Sequence, residues 1–207
     1  MKSHFPLPKL TAITTEGALS MWGSANGLVG LCKSDESFSK FWTFHCIIHQ
    51  EQLVSKNLKF DHVMKPVLHI VKFSLSNALN HRQFQNVIEE LDEDDFPADL
   101  PFHCAVRQLS RGKVISCFFK LREPVKLFME EKHRIHPKIT DPGWVLDLAF
   151  LADMLLHLDK LNVDLQGKFR LLSDLVQGVF AFMNKLQLFP KQMLEGELTH
   201  FPSISQL

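Results

Sequence analysis

The stretch WVLDLAFLADMLLHLDKLNVDL, Trp144–Leu165, places apolar residues at intervals of three and four from end to end. A run of that length and period predicts one long helix with little polar surface. Asp141 stands before it as a capping residue and Pro142 at the first helical position, where a missing N–H costs nothing. Phe169–Leu188 repeats the pattern, so two long antiparallel helices are expected. Upstream, Asp61 is read as the cap of a helix with Val63, Val67, Ile70, Val71 and Phe73–Leu75 on its apolar face and Pro66 near its first turn. From about His81, Phe84, Val87, Ile88 and Leu91 mark another helix. Val114, Cys117, Phe118, Leu121, Val125, Leu127 and Phe128 form a further stripe within Cys104–Lys132, with a kink expected at Pro124. The acidic run Glu89–Asp95, ending at Pro97 and Pro101, reads as a solvated linker. Phe189–Leu207 reads as a weakly ordered end.

The first fifty residues have a different texture. Leu10–Thr15 (LTAITT) is β-branched and stops at Glu16-Gly17, the pattern of a strand ending in a turn. Leu28–Leu31 suits a short helix weakened by Gly23, Gly27 and Gly30, and Phe41–Ile48 (FWTFHCII) is a second strand. Strand, helix and strand in that order predict a parallel pair, which alone is too small to be a stable sheet. The fold expected is therefore mainly α, with a two-strand βαβ-like unit in front. The expected segments are 1–56, a helical domain over 57–190, and 191–207.

With 207 residues the chain suits one domain or a piece of a larger one. Lys plus Arg (23) equals Asp plus Glu (23), so there is no overall basic excess to draw it to nucleic-acid phosphate. No run approaches the roughly 20 apolar residues that cross a bilayer, and Met1–Leu10 lacks the apolar centre of a secretory signal. An intracellular chain without a membrane partner is expected. Cys32, Cys46, Cys104 and Cys117 are spread without a paired framework and read as free thiols. The eleven histidines are scattered over different elements rather than gathered with carboxylates, which argues against a metal cluster.

TTEGALSM (14–21), FHCIIHQEQLVSK (44–56), NHRQFQNVIEELD (80–92), VRQLSRGKVI (106–115) and DPGWVLDLAFLADMLLHLDKLNVDLQGK (141–168) resemble, in that order, the hAT-superfamily transposases. More narrowly they are similar to the domesticated vertebrate branch of general transcription factor II-I repeat proteins and zinc-finger BED proteins. The resemblance implies a ribonuclease-H-like core interrupted by a helical insertion, with three carboxylates holding two divalent cations that stabilise attacking and leaving oxygens. It also implies that Thr15-Glu16-Gly17-Ala18 occupies the place of the family's T-D-G-A string, with Glu16 as a vestigial acid. The longer side chain would move the metal-facing oxygens by roughly 1.5 Å, enough to impair catalysis. Met1–Lys9 contains no acid to serve as the first carboxylate, and Glu195 and Glu197 do not match the third, so the ancestral Mg²⁺ site is expected to be incomplete and no cofactor bound.

By the same resemblance Cys46 and His49 match a C-x2-H string thought to position DNA, although a structural role is the plainer reading. Zinc would need a further pair that His45 and Cys32 do not supply. Arg107, Arg111 and Lys113 match a string whose aromatic is replaced by Gln108, so phosphate contact survives as a candidate while base stacking does not. The function expected is a catalytically inactive transposase-derived fragment acting as a helical protein-interaction module. It would bind a protein partner or itself, and the resemblance places it in the nucleus, with the cytoplasm the alternative. Two other readings stay open: a residual DNA-binding or Mg²⁺-dependent nuclease remnant, with weak DNA binding, and a transposon relic without a selected role.

Overall fold

The computed structural model describes residues 9–56, 58–91, 96–101, 108–166 and 171–207. The chain divides into two compact units, Met1–Asn57 and Leu58–Leu207. In the first, β1 (Ala12–Thr15) leads through α1 (Leu19–Trp22) and α2 (Leu28–Ser34) to β2 (Trp42–His45) and α3 (Ile47–Lys56). The strands pair in parallel with Ala12 opposite Trp42 and Thr15 opposite His45. Backbone bonds from Trp42 N–H to the Thr11 carbonyl (2.9 Å) and from Cys46 N–H to the Thr15 carbonyl (2.8 Å) extend the ladder at both ends. A connection that returns parallel must cross over, which is why the helices lie between the strands in sequence.

The second unit is helical among its described residues: α4 (Asp61–Ser74), α5 (Ala78–Leu91), α6 (Gln108–Lys120), α7 (Arg122–Glu131), a 3-10 turn at Pro137–Thr140, α8 (Pro142–Leu165), α9 (Leu172–Leu194) and α10 (Pro202–Ser205). Val67, Ile70, Phe84, Phe118, Phe128, Leu148 and Leu151 are fully buried in one core drawn from α4 to α8. Asp141 caps α8, accepting the Gly143 N–H at 3.1 Å. No helix among the described residues is long and apolar enough to cross a membrane.

Several local expectations are corrected. Asp61 is the first residue inside α4 rather than its cap, a place where a carboxylate favours the positive end of the helix dipole. Pro124 lies in the first turn of α7, where a proline fits, and the chain breaks before it at Leu121. The Pro97–Pro101 linker is anchored: Leu100 is buried, and Asp99 accepts its N–H at 2.7 Å while meeting His81 Nε2 at 2.6 Å. Residues 92–95 of the acidic run lie outside the described residues. The long-helix pair is also modified, because α8 packs most extensively on α6. Phe189 is the one fully covered apolar side chain of α9 among the described residues.

Pro66 links two of these helices. Lacking an N–H, it cannot bond the His62 carbonyl one turn earlier, and that carbonyl instead accepts the indole Nε1–H of Trp144 at 3.0 Å. Trp144 is otherwise buried, edge-on to Phe118. Trp144→Phe should therefore lower unfolding free energy by about 1–3 kcal/mol, because a carbonyl loses its partner. In a Pro66→Ala background the backbone N–H restored at that position takes over, and the penalty should at least halve; chemical denaturation of the four variants checks this.

The C-terminal segment, expected to be weakly ordered, is docked. Phe201 is fully buried, stacking on Phe150 and meeting Phe189 edge-on. Asp153, buried on α8, accepts the N–H groups of Ser203 (3.0 Å) and Ile204 (3.2 Å). A carboxylate that would be costly to bury alone is thereby satisfied by otherwise unbonded donors. His157 Nε2 lies 2.8 Å from the His200 carbonyl. A carbonyl only accepts, so Nε2 carries the hydrogen and Nδ1 receives the Lys185 ammonium at 3.3 Å. Burial first, and then Lys185 and His200, hold the His157 pKa below the usual 6.5, with the His200 carbonyl and Asp153 acting the other way. The folded chain resists a proton that the unfolded chain takes up near pH 6.5. Docking is thus unimpaired above that pH and weakens as pH falls from about 6.5 through the folded value. Amide exchange at residues 201–205 should quicken relative to the core between pH 7.5 and 5.5, and His157→Gln, which retains a donor, should flatten that trend.

Candidate functional site

The carboxyl ends of β1 and β2 bring together the strings singled out in the first unit. Glu16 follows β1 directly and is exposed, while Cys46 and His49 follow β2 and are half-buried. The register that sets Thr15 opposite His45 makes them neighbours of one edge. His45 packs against Gly17 so closely that a Cβ there would lie 2.6 Å from its ring. Its ring centre is 5.5 Å from that of His49 and 6.2 Å from Trp22. Thr15 Oγ1 and His45 Nε2 are buried without a hydrogen-bond partner. In an open parallel sheet this edge is where ligands sit. Among the described residues no three His, Cys, Asp or Glu side chains gather closely enough to hold a metal ion. His45 was weighed from sequence only as a zinc ligand; its packing on Gly17 follows from strand pairing, which no local string encodes.

A hollow of about 580 Å³ lies instead beside the opposite end of β2, lined by Cys32, Lys33 and Phe38–Trp42. Cys32 is buried, and Cys32, Cys46 and Cys117 are free thiols; burial pushes the Cys117 thiol up from its ordinary pKa.

The basic string maps onto the start of α6. Arg107 lies outside the described residues. Arg111 is half-buried, and that burial pulls its pKa below the ordinary arginine value, with Asp61 opposing the shift. Lys113 is exposed. Two residues on a helix point roughly 200° apart, so the run does not place Arg111 and Lys113 on one face. Gly112 between them is buried, and a Cβ would clash with the Asp159 carboxylate of α8. Glycine here permits the close approach of α6 to α8.

Residues 45–194 match the FAM200/GTF2IRD2 helical domain, from the last residue of β2 to the last of α9. The chain belongs to the FAM200/GTF2IRD2-like family. It is 33% identical over its full length to the general transcription factor II-I repeat domain-containing protein 2 of Bos taurus. Over 96% of its length it is 32% identical to the protein of the same name from Mus musculus. The chain spans about a fifth (22%) of each of these relatives. No solved structure matches it.

Within the described residues of this FAM200/GTF2IRD2-like domain, α9 leaves Leu172, Val176, Phe180, Met183 and Leu194 exposed. Single exposed apolar residues are ordinary, but a stripe along one helix is not. The helical period of Phe169–Leu188 does not by itself separate these residues from Phe182 on the same helix, and α9 runs on to Leu194, into the stretch expected to be weakly ordered.

Gly112→Ala supplies a check on the α6–α8 contact. Alanine alone favours a helix by about 1 kcal/mol, yet the clash with Asp159 should reverse the sign and lower the thermal midpoint by several degrees. Differential scanning calorimetry reads this directly.

Proposed function

We propose that this chain is a domesticated relative of the hAT transposases, without nuclease activity, whose helical domain serves as a protein-interaction module in the nucleus. The observation that carries the module reading is the bare apolar stripe of α9, where Leu172, Val176, Phe180, Met183 and Leu194 are exposed along one helix. The names of the transcription-factor-like relatives support a nuclear setting. The short parallel pair with its crossover supports descent from a ribonuclease-H-like core, of which β1 and β2 would be a remnant. Inactivity is supported by chemistry: two hard cations need several anionic oxygens, and Glu16 is the one acid in the T-E-G-A string. Weak DNA contact through Lys113 would be incidental to this role, because the Arg111 charge is engaged within the helical body.

The full chain, incubated with hairpin and duplex DNA in Mg²⁺ or Mn²⁺, should produce no cleavage. Strand scission that Glu16→Gln abolishes would overturn the inactive reading. For the module, proximity labelling in nuclei should mark a protein set that Phe180→Glu loses; identical sets from both chains would refute a role for α9.

A further inference from the structure

We propose that α9 is the interface between two copies of this chain, paired antiparallel about a two-fold axis beside Phe180. This rests on the interaction-module reading and names the occupant of its surface. At 3.6 residues per turn, Leu172, Val176, Phe180, Met183 and Leu194 fall on one side of α9, next to the side that carries Phe182 and the buried Phe189. Between Asp174 and Lys185 there is no charged residue. A charged partner would find no counter-charge along this stretch, whereas a second copy brings the same neutral surface without like-charge repulsion.

The polar edge of the stripe is self-complementary. Gln177 and Asn184, both exposed, stand seven residues apart and therefore two turns apart on one edge, with Phe180 and Ala181 midway. A two-fold axis at that midpoint sets Gln177 of one copy opposite Asn184 of the other, twice, so that each side-chain amide can donate and accept. The same symmetry packs Phe180 against its counterpart and opposes the two helix dipoles. A parallel pair would align the dipoles and set each amide against itself. The area limits the strength: 23 residues make a helix about 34 Å long, and a strip of one face buries on the order of 700 Å² over both copies. Stable complexes bury about 1,200–2,000 Å², so the pair is a weak, reversible one.

Sedimentation of the whole chain over a micromolar to sub-millimolar series tests this. The average mass should climb from 23.8 kDa toward twice that value. Phe180→Glu should hold it at the monomer with unchanged circular dichroism and thermal midpoint, since the side chain is 59% exposed. Val176→Lys, also exposed, repeats the test independently, and Leu146→Glu, exposed on α8, should leave the dimer intact. Under mild oxidation Phe180→Cys should give a covalent dimer above the wild-type background and Leu194→Cys should not. A chain monomeric throughout, a Phe180→Glu variant that still dimerises, or crosslinking of Leu194→Cys as readily as Phe180→Cys overturns the proposal. If the wild type is monomeric while Phe180→Glu still loses its labelled proteins, only self-pairing fails. If neither dimer nor α9-dependent labelling is found, the module reading falls with it.

Discussion

Burial of α8 is the constraint on which the helical body depends. Leu148, Leu151 and Leu155 are covered, and a helix so apolar has to be surrounded by others. Each neighbour is admitted by a particular device. Gly112 lets α6 come close, the His62 carbonyl freed by Pro66 takes the Trp144 indole from α4, and Asp153 captures backbone donors at the start of α10. The two polar contacts lie in surroundings where an unpaired group would cost more than the bond itself contributes, so they fix the arrangement more than they strengthen it.

The first unit follows a different logic. Its two short strands gain definition from parallel register and from the His45 ring lying on Gly17, and the residues that a transposase-like site would use collect at one edge because parallel strands end on the same side.

Covering one side of α9 while leaving the adjacent side bare gives the FAM200/GTF2IRD2-like domain an outward-facing surface at no cost to its own core. Phe189 is enclosed by His157 and Phe201, whereas Phe180, nine residues earlier, is not. Interaction through such a face leaves the fold of the rest unchanged, which suits a module carried within relatives several times its length.

Local chemistry was written plainly in the residues. The period of Trp144–Leu165, the Asp141-Pro142 start and the strand–helix–strand order all depend on neighbours within a few positions and are found in the structure, although the strand expected over Phe41–Ile48 ends at His45 and Ile47 and Ile48 open α3. Long-range pairing was not legible. The solvated linker holds a buried Leu100, and the supposedly loose end holds Phe201. The basic run Arg111-Gly112-Lys113 became a helix junction with its charges on different sides. Apolar periodicity states that a helix has a side to bury, but it does not say which helix will cover it or whether any will. On α9 two such sides are adjacent in sequence and nearly equal in composition. Only the packing of α8 and α10, which had room for one of them, decided which became core and which stayed open.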